Sequence, residues 1–363
     1  MKKVMISGYY GFDNIGDDAI LESIILSFKK YRNDIEFVVL SSNPEKTSNH
    51  LNVKAINRNN LFLIIKELLN TNLFISGGGG LFQDVTSHSN IIYYGSLIKI
   101  AQILGVKTMI YAQGIGPLNN NISRKILSNL FNKTNLITIR EENSKNDLIK
   151  MGVKKIINIT ADPVLTLDKG NFNLNDIILN KEKKIIGVAI RPWKDWYERQ
   201  FKSFSSILYQ IAKKYNYQIL IIPFQISSDL WLSNELYSYL NSRTYGNVEI
   251  NLLNKALTPR EMMSLISNLD FVIGMRLHAL IMAASNYINS LGIVYDPKVK
   301  FFCDLVGYPY IESIKNLDNI KQTYEIIEKS IIRKDINKSE FINNVNKLKE
   351  LALKNTELAL SLI

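Results

Sequence analysis

The 363-residue chain contains a single cysteine, Cys303, which excludes a disulfide framework and a cysteine-based metal site. Only three histidines occur, His50, His88 and His278. No apolar run approaches the ~20 residues that cross a bilayer. The early stretch VMISGYY is too short for a signal-peptide core. HExxH and Walker A patterns are missing, which argues against zinc hydrolysis and P-loop chemistry. Together these shortages point to a reducing, cytoplasmic setting.

Acidic residues are also in short supply, 33 against 44 Lys and Arg, for a formal net charge of +11. Such an excess calls for an anionic partner. The lysines are dispersed, with no arginine stripe and no nucleic-acid motif, so nucleic acid is not expected. An anionic small substrate and weak attraction to the inner, anionic face of the membrane both stay open. A general bias toward Lys, Asn and Ile accounts for most of the charge.

What the chain does have is regular alternation. KVMIS, EFVVLSS, NLFIS, VKTMIYAQ, LITIR and IINIT read as strands, separated by helical patterns such as AILESIILSFKKY. The strands are continuously apolar, as in parallel sheets covered on both faces. A stretch without clean periodicity, KGNFNLNDIILNKEKK, interrupts the series, and alternation then restarts with IIGVAI, QILIIPF, VEIN, FVIGM and SLGIVY. The expected organisation is a Rossmann-like domain over 1–168, a linker over 169–184, a second Rossmann-like domain over 185–320, and a helical tail over 321–363. Two doubly wound α/β domains in tandem imply a ligand cleft between them, at the carboxyl ends of the strands.

Every notable motif falls at such a strand end. GYYGFDNIGDDA (8–19) follows the first strand and is either a phosphate-cradling loop or a plain tight turn. SGGGGLFQD (76–84) carries four consecutive glycines, more than a βα turn needs, and suits close approach of backbone amides to a ligand. YAQGIGP (111–117) repeats that arrangement with Gly114 and Gly116. LITIREEN sets Arg140 at a strand end, either to grip a carboxylate or phosphate with a bidentate fork or to pair with Glu141, Glu142 or another acid. TADP (160–163) and RPW (191–193) end strands too, the latter placing Arg191 toward the expected cleft. In FVIGMRLHALIMAA (271–284) Arg276 and His278 open an apolar helix, whose free amides and dipole favour an anion. A histidine with an ordinary pKa near ~6.5 is suited to proton transfer there. VYDPKVKFF brings Tyr295, Asp296 and Lys298 to the same edge.

These motifs, in this order, resemble the polysaccharide pyruvyl transferase family, specifically the cell-wall ketal-pyruvyl transferases of Gram-positive bacteria. GYYGFDNIGDDA, SGGGGLFQD, YAQGIGP, ITIRE, TADP, RPW, GMRLHALI and YDPKV carry the resemblance, from residue 8 to about 300. One departure is visible: the family often reads Asn-Ser-Gly-Asp-Glu where this chain has Asn14-Ile15-Gly16-Asp17-Asp18, with Asp17 retained.

The resemblance implies a GT-B type glycosyltransferase architecture and no cofactor. It further implies phosphoenolpyruvate as donor and a sugar acceptor, typically N-acetylmannosamine of a secondary cell-wall polymer, free or lipid-linked. The product carries pyruvate as a 4,6-ketal, a group that anchors proteins with S-layer homology domains. On this reading His278 is the general acid and Asp17 the base. Arg140, Arg191, Arg276, Lys298, Gly78 and Gly79 bind the donor, and Asn14, Gly16 and Asp84 the acceptor. A nucleotide-sugar glycosyltransferase and a non-catalytic anion- or glycan-binding relative are the alternatives.

Overall fold

The computed structural model describes residues 1–84, 88–173, 177, 180, 182–244, 248–332 and 338–363. The chain forms two compact units, residues 1–167 with 347–363, and residues 168–346. The first runs β1 (Lys2–Ser7), α1 (Ile15–Tyr31), β2 (Ile35–Ser41), α2 (Pro44–Leu51), β3 (Lys54–Asn57), α3 (Leu61–Leu68), β4 (Leu73–Ser76) and β5 (Gly79–Phe82). It continues with α4 (His88–Ile103), β6 (Lys107–Ile115), α5 (Asn121–Phe131), β7 (Leu136–Ile139), α6 (Glu142–Lys150) and β8 (Ile157–Ile159). The sheet is parallel in the order β3-β2-β1-β4-β6-β7-β8, and β5 pairs with the carboxyl end of β6 beyond β4.

The second unit runs β9 (Lys184–Ala189), α7 (Glu198–Lys214), β10 (Tyr217–Ile221), α8 (Ile226–Thr244), β11 (Ile250–Leu252), α9 (Pro259–Ile266) and β12 (Phe271–Gly274). Next come α10 (Leu277–Ser285), β13 (Ser290–Ile293), α11 (Pro297–Val306), β14 (Tyr310–Ile311) and α12 (Ile320–Ile332). Its parallel sheet has the order β11-β10-β9-β12-β13-β14. Both units are therefore doubly wound Rossmann-type sheets, with switch points between β1 and β4 and between β9 and β12. Helix starts are fixed by side-chain caps in the strand-to-helix loops. Asn14 caps α1, Asn120 caps α5, Asp296 caps α11, and Thr258 with Glu261 forms a capping box on α9.

The expected tail is not a separate segment. Ile327 of α12 lies in the core of the second unit. Helix α13 (Lys338–Leu360) begins in that unit and ends in the first. There Thr356 Oγ1 lies 2.9 Å from the Tyr111 hydroxyl, and the buried Asn355 amide donates to the Ala161 carbonyl at 3.1 Å. Residues inside the expected linker at 174–176, 178–179 and 181 lie outside the described residues. Its first residues already belong to the second unit, since Gly170 N–H donates to the Arg260 carbonyl at 2.9 Å.

The switch point of the first unit is filled by the protein itself. Tyr10 is fully buried, and its ring lies so close over Gly8 and Gly77 that a Cβ at either would collide with it. A nucleotide pyrophosphate normally occupies this position in a dinucleotide-binding domain. Burial pushes the Tyr10 phenol well up, helped by the nearby Asp17 and Asp18 carboxylates. Its hydroxyl, with those of Ser7 and Ser76, is buried without a hydrogen-bond partner among the described residues. Gly77→Ala should destabilise the chain by about 2–3 kcal/mol in urea unfolding, because the new methyl meets the Tyr10 oxygen. Tyr10→Phe in the same chain should recover part of that loss. An equal loss in single and double variants would mean that the tyrosine is not the obstacle.

Candidate functional site

At the carboxyl edge of the second sheet β9, β12 and β13 end side by side. The Met275 and Arg276 amides both donate to the Ala189 carbonyl, at 2.9 and 3.3 Å, which ties the end of β12 to β9. Arg276 is the N-cap of α10, with His278 in its first turn. The Arg276 side chain is buried and gripped from α8 by Asp229. Nε donates to Oδ2 at 2.9 Å and an Nη to Oδ1, while the same Nη reaches Ser228 Oγ at 2.9 Å. Asp229 is completely buried and also accepts from the Gln225 amide at 3.0 Å and the Ser228 hydroxyl at 2.8 Å. This bidentate pair locks the β10–α8 loop to the β12–α10 loop.

Around it lies a group of cations and rings. Arg191 donates from Nη1 to the Tyr295 hydroxyl at 3.2 Å, and its guanidinium carbon stands 5.0 Å from the Tyr295 ring and 5.3 Å from Trp193. Those two rings meet edge to face at 4.8 Å. Lys298 Nζ lies 5.6 Å from the Tyr295 ring and 3.4 Å from Asp296 Oδ2. Burial alone would push the Tyr295 phenol up. The fields of Lys298, Arg191 and Arg276 outweigh it and hold the phenol below its ordinary value. Tyr295 is thus the common neighbour of three cations drawn from three strand ends.

In the first unit Asn14 Oδ1 accepts the Gly16 amide at 3.2 Å, and its Nδ2 donates to Asp17 Oδ2 at 2.6 Å. The Asp17 carboxylate lies against Gly79, where a Cβ would come within 3.1 Å of Oδ1. Gly79 has φ +105°, open to glycine and strained for other residues, and Gly78 backs onto Ile20. Three of the four glycines thus have reasons inside the protein, and only a Cβ at Gly80 would meet nothing within 4 Å. Asp84 is buried and accepts the amides of Asn119 and Asn120 at 2.8 Å, which fixes the chain before α5. Arg140 takes the ion-pair arrangement, with Nη1 2.6 Å from Asp162 Oδ2 and Nε 3.6 Å from Glu141 Oε1. Burial works against its charge, and these two carboxylates more than restore it.

Sequence reasoning did not single out Asp18, Asp229 or the Trp193–Tyr295 pair as site residues. Asp18 Oδ1 accepts the Gly11 amide at 3.2 Å. Burial raises its carboxyl to about 6 against the pull of that amide, placing it near neutrality. Tyr295 had a signal in the YDPKV stretch; Asp229 lies in an ordinary helix start and had none.

The family model for polysaccharide pyruvyl transferases matches residues 14–297, a range holding these groups except Lys298 and the start of the opening loop. The chain belongs to the polysaccharide pyruvyl transferase family. No curated protein matches it. Solved structures similar to it include S. aureus MnaA with UDP, with a TM-score of 0.69, 12% identity, and coverage of 100% of this chain and 98% of that one. The UDP-GlcNAc 2-epimerase of Methanocaldococcus jannaschii follows at 0.68 and 15%, covering 98% and 100%. That of Neisseria meningitidis bound to UDP-GlcNAc gives 0.63 and 14%, covering 99% and 100%. At such identities the likeness is one of fold, and it agrees with the GT-B plan.

Two predictions concern this transferase's site. Asp229→Ala leaves the Arg276 guanidinium buried and unpaired, so urea unfolding should show a loss of about 3–5 kcal/mol; a loss below about 1 kcal/mol would show the pair to be dispensable. The second concerns pH. Because burial raises the folded Asp18 carboxyl from its ordinary 3.8 to about 6, the folded state binds the proton more tightly. The wild type should therefore gain stability relative to Asp18→Asn as pH falls from 7 to 5. Parallel stability curves for the two proteins would contradict the raised carboxyl.

Proposed function

We propose that this chain is a ketal-pyruvyl transferase that moves pyruvyl from phosphoenolpyruvate to a sugar of a secondary cell-wall polysaccharide precursor and releases phosphate. One observation carries the reading: Arg191, Arg276 and Lys298 converge about Tyr295 at one sheet edge, beside the first turn of α10. Phosphoenolpyruvate offers a carboxylate and a phosphate, and this edge offers cations and free helix amides to receive them. His278 gives a proton to the methylene carbon of the enol, turning it into a methyl group and leaving an oxocarbenium-like carbon. A sugar hydroxyl bonds to that carbon and loses its proton to Asp17. The carbon–oxygen bond to phosphate then breaks, and a second hydroxyl closes the ketal as its proton passes to the departing phosphate. Cations around the phosphate favour its departure.

In this reading the acceptor is an N-acetylmannosamine unit taking a 4,6-ketal, held by the opening loop through Asn14 and Gly16. Gly78 and Gly79 set the backbone beside Asp17, and Asp84 supports the loop before α5. Cytoplasmic phosphoenolpyruvate is the accessible donor.

Phosphate release from phosphoenolpyruvate should depend on an N-acetylmannosamine-containing acceptor, with the product gaining a pyruvyl ketal by mass spectrometry. Release of nucleoside diphosphate from a sugar nucleotide instead would overturn the reading. His278→Ala should lower kcat by 10²–10⁴-fold, in the range of a lost general acid. Arg140→Lys keeps a charge beside Asp162 but loses the planar fork, so KM for phosphoenolpyruvate should rise about ten-fold or more. An unchanged KM with a lowered thermal midpoint would leave Arg140 a purely structural pair.

A further inference from the structure

We infer that the outer face of helices α3, α4 and α5 is a docking surface for an anionic lipid bilayer. The three helices cover one face of the first sheet. Ile64 and Leu68, Ile91 and Ile98, and Leu127 and Phe131 turn inward into a single core with Met5, Val38 and Phe74. The opposite faces point to solvent, where soluble helices normally carry polar residues. Here they carry Leu61, Phe62 and Leu69 on and just after α3, Ile92 and Ile103 on α4, and Ile122 and Ile126 on α5. Phe62 is 75% exposed, Ile103 70% and Ile122 69%. Singly exposed apolar side chains need no explanation, but a set spread over three neighbouring helices of one layer does.

Charge identifies the occupant. From Leu61 to Lys133 the sequence holds two carboxylates, Glu67 and Asp84. Both are buried: Glu67 beneath Lys3 and Lys54, and Asp84 on the Asn119 and Asn120 amides. Lys66, Lys99 and Lys125 remain exposed on these helices, as does Arg124. The outer sides of these three helices are therefore apolar and cationic, with no exposed acid of their own; the exposed Asp147 of α6 stands at the border, lining one pocket with Arg124. A bilayer with anionic headgroups supplies both the negative charge and the apolar depth that such a face lacks. A second copy docking through the same face would bring its own cations against these, at a like-charge cost. Among the described residues no helix is long and apolar enough to cross a membrane, so the contact lies on the surface of the bilayer. Docking on the bilayer does not depend on the transfer chemistry.

The test is co-sedimentation of the full chain with phosphatidylcholine vesicles made with and without phosphatidylglycerol, at low and high salt. Binding should require phosphatidylglycerol and weaken as salt rises. Phe62→Ser with Leu69→Ser should reduce it about ten-fold, and Lys66→Glu with Lys125→Glu by at least as much. All four side chains are exposed, and far-UV circular dichroism checks the fold. Ile103→Ser, at the far end of α4, serves as a second apolar variant should the first pair fold poorly. Failure to pellet with either vesicle, equal pelleting with phosphatidylcholine alone, or variants that bind like the wild type would each overturn the inference. So would a concentration-dependent dimer, seen by light scattering, that Phe62→Ser with Leu69→Ser dissolves.

Discussion

A parallel sheet has one edge at which every strand hands the chain to a helix, and the second unit depends on what is tied together there. The central tie is the buried pair of Arg276 and Asp229. It joins the loop after β12 to the start of α8, and the Ala189 carbonyl fastens the same loop to β9. Buried charges are expensive unless paired and hydrogen-bonded. Asp229 meets that requirement with backbone amides and the Ser228 hydroxyl as well as the arginine. With that anchor set, Arg191 stands against both the Trp193 and Tyr295 rings, and Lys298 approaches the latter. The concentration of positive charge at this edge is therefore built into the packing of the loops.

The first unit answers the same topological constraint differently. Its switch point is closed by Tyr10 over Gly8 and Gly77, so glycines that suit a phosphate-cradling loop make room for a tyrosine. The polar groups of the opening loop are then arranged along the first turn of α1, with Asn14, Asp17 and Asp18 holding one another and nearby amides. The opening loop of the first unit thus gathers carboxylates, and the β9–β12–β13 edge of the second gathers Arg191, Arg276 and Lys298 about Tyr295.

Much of this was legible in the residues. Continuous apolar strands alternating with helical periods announce parallel sheets, since only strands covered on both faces are apolar throughout. Motifs at strand ends announce the working edge, because a doubly wound sheet puts its loops there. The roles within a motif were less legible. The local sequence does not say what Arg140 and Asp84 hold within the fold: Arg140 pairs with Asp162 and Glu141, and Asp84 accepts the Asn119 and Asn120 amides. Asp229, far from any motif, had no signal, because an acid in the first turn of a helix is common and its partner lies 47 residues away.

The sequence by itself determined the two-sheet plan, the strand ends that carry the motifs, and membership of the family, because periodicity and local glycine, proline and cap chemistry act over short spans of chain. Only the tertiary structure decided which charges stand together and which are already spent on one another. It also decided that Tyr10 occupies the switch point, that the last helix returns to the first unit, and that Tyr295 sits amid three cations. Those outcomes depend on distances between residues remote in sequence. Burial and Coulomb interactions are set by such distances in space and not by order along the chain.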